Sequence, residues 1–154
     1  MDIADVLKHT SPDLFLPDLQ ATDKPGVLVE LVQGLVAGSP TISKQDAVLQ
    51  MLESREALGS TAVGPGVAFP HGRTLAVQKL TVLIARSKAG VDFDSVDGEK
   101  THLFFVLIAP PQDSGHKYIK SLAALTDRLQ DDALRQRLME ADDFDAFCTA
   151  LGGD

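Results

Sequence analysis

Apolar positions along this chain fall into two kinds of run, which together predict alternating helices and buried strands. Leu28, Leu31, Val32, Leu35 and Val36 recur at helical spacing. Thr22-Asp23 ahead of them are good N-cap types, Pro25 lies close to the first turn, and Gly38-Ser39-Pro40 stops the pattern. A second helix begins after Ser43, with Ala47, Val48, Met51, Leu52 and Leu58 as its apolar side and Gly59 placed to end it in the left-handed conformation. Leu80 to Ala85 and Leu103 to Ala109 are near-continuous apolar runs rich in β-branched and aromatic residues, as expected of strands buried on both faces. Val91-Asp92-Phe93 predicts another short strand and Asp97-Gly98 a turn. Beyond Pro110-Pro111 a third helix is predicted from Ser114 or His116 to Leu129, with Ile119, Leu122, Ala123, Leu125 and Leu129 facing inward. Two more follow, over Asp132 to Glu140 and Phe144 to Leu151.

Two stretches lack a long period. Residues 1–20 carry two prolines and predict an irregular start with one short strand. Gly59 to Arg73 mixes small and β-prone residues with four glycines and two prolines. It reads as two short extended pieces around a tight turn at Gly64-Pro65-Gly66, with His71 just past the second piece. The elements sum to an α/β sandwich with a mostly buried central sheet, expected as one domain over residues 1–154.

Composition narrows the function. Hydrophobic residues at 44% and charged residues at 23% are ordinary for a globular chain. No apolar run approaches the ~20 residues of a membrane span, and the acidic N-terminus lacks a signal-peptide pattern. The single cysteine, Cys148, excludes an internal disulfide and a multi-cysteine zinc site. The expectation is a soluble cytoplasmic protein without membrane insertion. With 22 acidic against 14 basic residues the net charge is −8, so nucleic acid and anionic membranes are poor partners. The late acidic cluster, Asp131-Asp132 and Glu140 to Asp145, reads as a solvated helical face.

Three places could carry chemistry. His71 lies between Pro70, which fixes the backbone approach, and Gly72, which leaves space beside the ring. Such an imidazole is either an aimed base, ligand or nucleophile or an ordinary turn residue. His116 falls at the expected start of a helix, where unpaired N–H groups attract anions; the alternative is a solvent-facing first-turn residue. Arg55 with Gly59, Ser60 and Thr61 could offer a guanidinium, hydroxyls and backbone N–H groups to one phosphoryl group, against a plain surface arginine. Arg73 is a weaker phosphate candidate. Asp92 and Asp94 lack a nearby histidine for a metal site. His9 and His102 neighbour no motif, and Cys148 reads as a small buried hydrophobe. Walker, Rossmann and Gly-x-Ser-x-Gly patterns are absent.

Taken together, Arg55 to Thr61 (Arg-Glu-Ala-Leu-Gly-Ser-Thr) and Gly64 to Arg73 (Gly-Pro-Gly-Val-Ala-Phe-Pro-His-Gly-Arg) resemble the active-site signature of the enzyme IIA domain of the bacterial phosphotransferase system. The resemblance is to its mannitol/fructose class, which includes nitrogen-regulatory IIA proteins. Ala89 to Gly98 resembles the stretch before that family's core strand, and Ser114 to Leu129 its helix that opens with a histidine. Nearly the whole chain is covered.

The resemblance implies a central mixed β-sheet flanked by helices and a phosphocarrier mechanism. His71 would accept a phosphoryl group from the phosphohistidine of an HPr-type carrier protein, with Arg55 pairing with phosphate and His116 donating a hydrogen bond. Gly59, Ser60, Thr61 and Arg73 would contribute to phosphate binding. No cofactor or metal is implied, since phosphoryl transfer asks the protein mainly for positioning and charge stabilisation. The acceptor nitrogen must be unprotonated and exposed. The nitrogen-regulatory type often has Asn where Pro65 stands, Ile where Phe69 stands and Lys where Arg73 stands. Two destinations therefore stay open: a regulatory branch acting on target proteins, or a sugar-transport branch passing phosphate to a IIB cysteine.

Overall fold

Strands β4 (Thr81–Val91) and β5 (Thr101–Ala109) occupy the centre because their apolar runs give both faces something to bury. In this computed structural model, which describes residues 1–152 apart from the Ser114 side chain, they pair antiparallel, with Ile84 opposite Phe105. β1 (Phe15–Leu16) lies parallel to β4 on one side. On the other, β2 (Val67–Ala68) and β3 (His71–Arg73) run parallel to successive parts of β5. The sheet is therefore mixed.

Period-two alternation sorts the strand residues between two helical layers. Leu83, Ala85, Phe104, Val106 and Ile108 pack toward α2 (Lys24–Gly38) and α3 (Gln45–Ala57). Val82, Ile84, Phe105 and Leu107 pack toward α1 (Ile3–Leu7), α4 (Lys117–Arg128), α5 (Asp132–Glu140) and α6 (Phe144–Gly152). Each fully buried side chain of this size contributes about 1.5–3 kcal/mol. The α2 start matches its sequence signals: the Asp23 carboxylate caps it by accepting the Gly26 N–H at 2.9 Å, and Pro25 lies in the first turn.

The break between β2 and β3 aims the site. Phe69 donates its N–H to Thr61 rather than to the sheet, and the Pro70 carbonyl accepts from Leu107. Proline has no N–H to continue the ladder, so the edge strand is interrupted just before His71.

Several expectations are corrected. Residues 1–20 are not irregular at their start: α1 forms there, with Asp2 and Asp5 making a reciprocal capping box. Aspartate stands both at the cap and at the third helical position in place of the usual Ser or Thr and Glu or Gln, which hid the motif. His71 does follow the short strand β2, and it also begins a further strand, β3, that the sequence did not announce. Val91 ends β4 rather than starting a separate strand, and Asp92 meets Asp23 in an isolated bridge. On α3, Ala47 and Leu58 face solvent. On α4, Ile119 and Ala123 are exposed, while Tyr118, Ser121, Leu125 and Leu129 point inward. The helix is turned so that a tyrosine and a serine take the inner face. Part of the late acidic cluster caps helices: Asp131 accepts from Ala133 and Leu134, and Asp143 from Ala146.

Candidate active site

His71 stands where β3 resumes the sheet, half-buried rather than openly exposed. Its Nδ1 lies 2.5 Å from the carbonyl oxygen of Phe69. A carbonyl only accepts, so Nδ1 carries the proton and Nε2 presents a lone pair. Burial lowers the pKa of the ring below the ordinary 6.5; the Phe69 carbonyl opposes this, the Arg55 guanidinium adds to it, and Glu56 opposes it. The ring is thus held neutral and nucleophilic.

Gly72 is required for a different reason from the one its sequence suggests. A Cβ there would collide with Met51 Sδ on α3. The glycine leaves no free space beside the imidazole; it lets α3 pack directly against β3. That contact brings the end of α3, and with it Arg55, toward His71.

Arg55 lies in the last turn of α3 and donates from Nη1 to the Gly59 carbonyl at 2.8 Å. Gly59 has φ +146°, a conformation glycine adopts readily, which lets the chain double back beneath the guanidinium. The next two residues lock this loop. Ser60 Oγ donates to the Phe93 carbonyl at 2.7 Å and accepts from the Ala62 N–H at 3.0 Å. The Thr61 N–H donates to Glu56 Oε1 at 3.1 Å, and its hydroxyl donates to Glu56 Oε2. Each hydroxyl spends its one proton inside the protein and has none to offer a phosphate. Glu56 is 7% exposed and pairs with Lys24 Nζ at 2.8 Å. Lys24 also stands 4.8 Å above the Phe93 ring centre. A buried ion pair thus joins the start of α2 to the end of α3 beneath the loop.

The opposite wall comes from β3 and α4. The Tyr118 ring lies 5.9 Å from the His71 ring, centre to centre. The Arg73 guanidinium stacks 5.0 Å above Tyr118 and donates to the Pro111 carbonyl at 3.1 Å. Burial raises the Tyr118 pKa, with Arg73 and Arg55 both opposing it, so the two guanidinium groups share one electrostatic neighbourhood. His116 is the residue immediately before α4, exposed and left-handed at φ +55°. It sits two positions ahead of Tyr118, at the end of the helix that faces His71. The Tyr118 N–H in that first turn is already taken by Asp113 Oδ2 at 2.6 Å.

Arg55, His71 and Arg73 therefore come together, although 16 residues separate the first two. Tyr118 and Lys24 were not singled out from sequence, and Glu56 stood in the signature without a role. Tyr118 carried a signal, being the chain's one tyrosine on the turn after His116. Lys24 had none, and its pairing with Glu56 arises only on folding. The other candidates lie outside the site. His102 Nδ1 contacts the Ser87 carbonyl at 2.9 Å, Asp94 reaches Lys24 at 3.6 Å, and His9 lines a separate cleft. Cys148 is half-buried, its thiol pushed up to about 11 by burial and Asp145. No group of three or more His, Cys, Asp or Glu poised for a metal occurs among the described residues.

A neutral imidazole nitrogen with the Arg55 guanidinium beside it and the Arg73 guanidinium across Tyr118 is suited to accept a phosphoryl dianion. Comparison with known proteins places the chain in a family. The chain is 36% identical over 151 residues to the nitrogen regulatory protein of Bradyrhizobium diazoefficiens, covering 98% of this chain and 95% of that protein. It is 33% identical over 142 residues to the fructose-specific EIIA component of Haloferax volcanii, covering 92% and 91%. The crystal structure of the nitrogen regulatory protein IIA-Ntr from Neisseria meningitidis superimposes with a TM-score of 0.87 at 26% identity, over 95% of this chain and 98% of that one. The family profile described as "Phosphoenolpyruvate-dependent sugar phosphotransferase system, EIIA 2" matches residues 8–152, and the chain belongs to that family.

Proposed function

We propose that this protein is a phosphocarrier of the regulatory, nitrogen-type branch, with His71 as the covalent intermediate. The observation that carries this reading is the Phe69 carbonyl on His71 Nδ1, which leaves Nε2 as the nucleophile. The Nε2 lone pair attacks the phosphorus of a phosphohistidine on an HPr-type carrier. The new P–N bond forms as the donor's P–N bond breaks, and the donor nitrogen leaves with that electron pair. No proton need move, because Nδ1–H stays on the Phe69 carbonyl and that bond strengthens as the phosphorylated ring becomes more cationic.

Arg55 and Arg73 neutralise the incoming dianion, and His116 adds a hydrogen bond from the α4 side. Gly59 acts through Arg55, whose guanidinium it fixes by its carbonyl. Ser60 and Thr61 shape the loop rather than touch phosphate. Apolar side chains stand exposed on three segments near the site: Leu58 and Val63 after α3, Leu75 after β3 and Ile119 on α4. They suit a protein partner that must cover His71 while the group transfers.

The regulatory branch is favoured by the 36% likeness to a nitrogen regulatory protein. The alternative is a sugar-transport component that passes the group to a IIB cysteine, favoured by the 33% likeness to a fructose-specific component. Phosphoenolpyruvate, enzyme I and HPr should add one acid-labile phosphoryl group, read by intact mass, and none to His71→Ala. Equal labelling of His71→Ala would refute the assignment. Rapid loss of the label to an added IIB domain would select the transport branch.

A further inference from the structure

Behind the loop that carries His116, two small cavities adjoin across a shared wall of His9, Lys79 and Leu80. The first, about 170 Å³, is also lined by Lys8, Thr10 and Ser11. The second, about 210 Å³, is also lined by Gln112, Asp113 and Lys117. Each is smaller than the ~300 Å³ at which drug-sized ligand pockets begin. In a chain of net charge −8, three lysines and a histidine converge here.

One carboxylate, Asp113, lines the cleft, and Asp5 stands at its far end beside Lys8. Asp113 accepts the Tyr118 N–H at 2.6 Å, and Asp5 holds Lys8 at 3.3 Å. Lys79 and Lys117 form no ion pair among the described residues. The cleft thus sets the unpaired Lys79 and Lys117 against one carboxylate, Asp113, and a bound anion offsets the excess positive charge.

We propose that this double cleft binds a small dianion, a phosphate monoester or a dicarboxylate, and that its occupancy is felt at His71. Lys79 bridges the two cavities as the central cation, with Lys8 and Lys117 at the two ends and His9 between them. The route to His71 is short. Gln112, Asp113 and Lys117 line the cleft, Pro111 anchors Arg73, and Asp113 holds Tyr118 against His71 and Arg73. An anion that draws Lys117 or releases Asp113 therefore moves the wall of the acceptor site. Binding stands independently of the phosphocarrier reading; the coupling rests on it.

His9 is a built-in reporter. Burial lowers its pKa, as do Lys117 and Lys79, against the Leu80 backbone and Asp113. A dianion among Lys8, Lys79 and Lys117 should reverse this and raise the His9 pKa. The test is a proton NMR titration of the full chain with inorganic phosphate or malonate, with sodium chloride matched for ionic strength. Both dianions should raise the His9 pKa and shift amides at Lys79 to Thr81 and Gln112 to Lys117, beyond the effect of chloride. Lys79→Gln should weaken binding at least tenfold, and Lys88→Gln, an exposed lysine elsewhere, should leave it unchanged.

No response beyond that of chloride, or equal binding by Lys79→Gln, overturns the site. So does phosphate that moves His71 resonances in place of those of His9. Malonate should also change the rate of His71 phosphorylation in the wild type but not in Lys79→Gln. An unchanged rate with malonate bound removes the coupling and leaves the site. A chain that binds malonate but is never phosphorylated overturns the phosphocarrier reading alone.

Discussion

His71 Nδ1 and the carbonyl oxygen of Phe69 lie 2.5 Å apart, and this contact decides which ring nitrogen can react. The acceptor and its tautomer-setting partner are two residues apart, joined by a proline that fixes the backbone between them. The phosphoryl group should therefore reside on Nε2. Long-range proton–nitrogen correlation spectra of the phosphorylated protein distinguish the two positions. A phosphoryl group on Nδ1 would show that the bond to Phe69 does not survive in the reactive state.

The rate of phosphoryl uptake should hold steady as pH falls through 6.5 and decline only below it, because the His71 pKa lies under its ordinary value. The sign for stability follows the same way. Between the folded pKa and 6.5, the unfolded chain binds more protons than the folded one, so folding weakens as pH drops through that window. His9 acts in the same direction. His71→Ala should remove its share of this slope. Uptake that already declines above pH 6.5 would mean a ring that is not desolvated.

Arg55→Ala should slow phosphoryl uptake ~10²–10³-fold, the usual cost of losing one electrostatic donor in such a site. Arg55→Lys should recover only part, because an ammonium cannot hold the Gly59 carbonyl and a phosphate oxygen in one plane. His116→Ala should cost less than Arg55→Ala, and His116→Gln less again, since an amide still donates. Rapid-quench phosphorylation of the four folded variants would rank them. Wild-type rates for both alanine variants would leave His71 acting alone.

Glu56→Gln should destabilise the protein by about 1.5–3 kcal/mol, because it removes the close partner of the half-buried Lys24 ammonium and leaves it only the longer contact with the exposed Asp94 carboxylate. Lys24→Met combined with Glu56→Gln should recover part of that loss, as the poorly compensated charge is then gone. Urea unfolding of the single and double variants measures both. A double variant as unstable as the sum of its parts would show that the two side chains do not interact.

Gly72→Ala should cost about 1–3 kcal/mol through overpacking against Met51. Met51→Ala makes room for the new methyl, so the double variant should be more stable than the two single losses predict. Thermal unfolding tests the coupling. Strict additivity would mean that α3 and β3 yield around the methyl group at no cost.

Hydrophobic period and punctuation in the sequence determined the helices and strands that are long and capped by familiar residues. Both core strands, α2, α3, α5 and α6 were legible, because a helix stripe or a doubly buried strand is a local pattern. The site signature was legible too, as Arg55, Gly59, His71 and Arg73 fall within one stretch of chain. Tertiary structure decided what depends on rotation and approach. It turned α4 so that Tyr118 faces His71 and Ile119 faces solvent, although both are compatible with an amphipathic helix. It placed Met51 against Gly72, which no spacing foretells. It also assigned the Ser60 and Thr61 hydroxyls to Phe93 and Glu56 instead of a ligand. A hydroxyl's partner depends on which acceptor the folded chain brings within reach, and that is a property of three-dimensional distance, which sequence order does not carry.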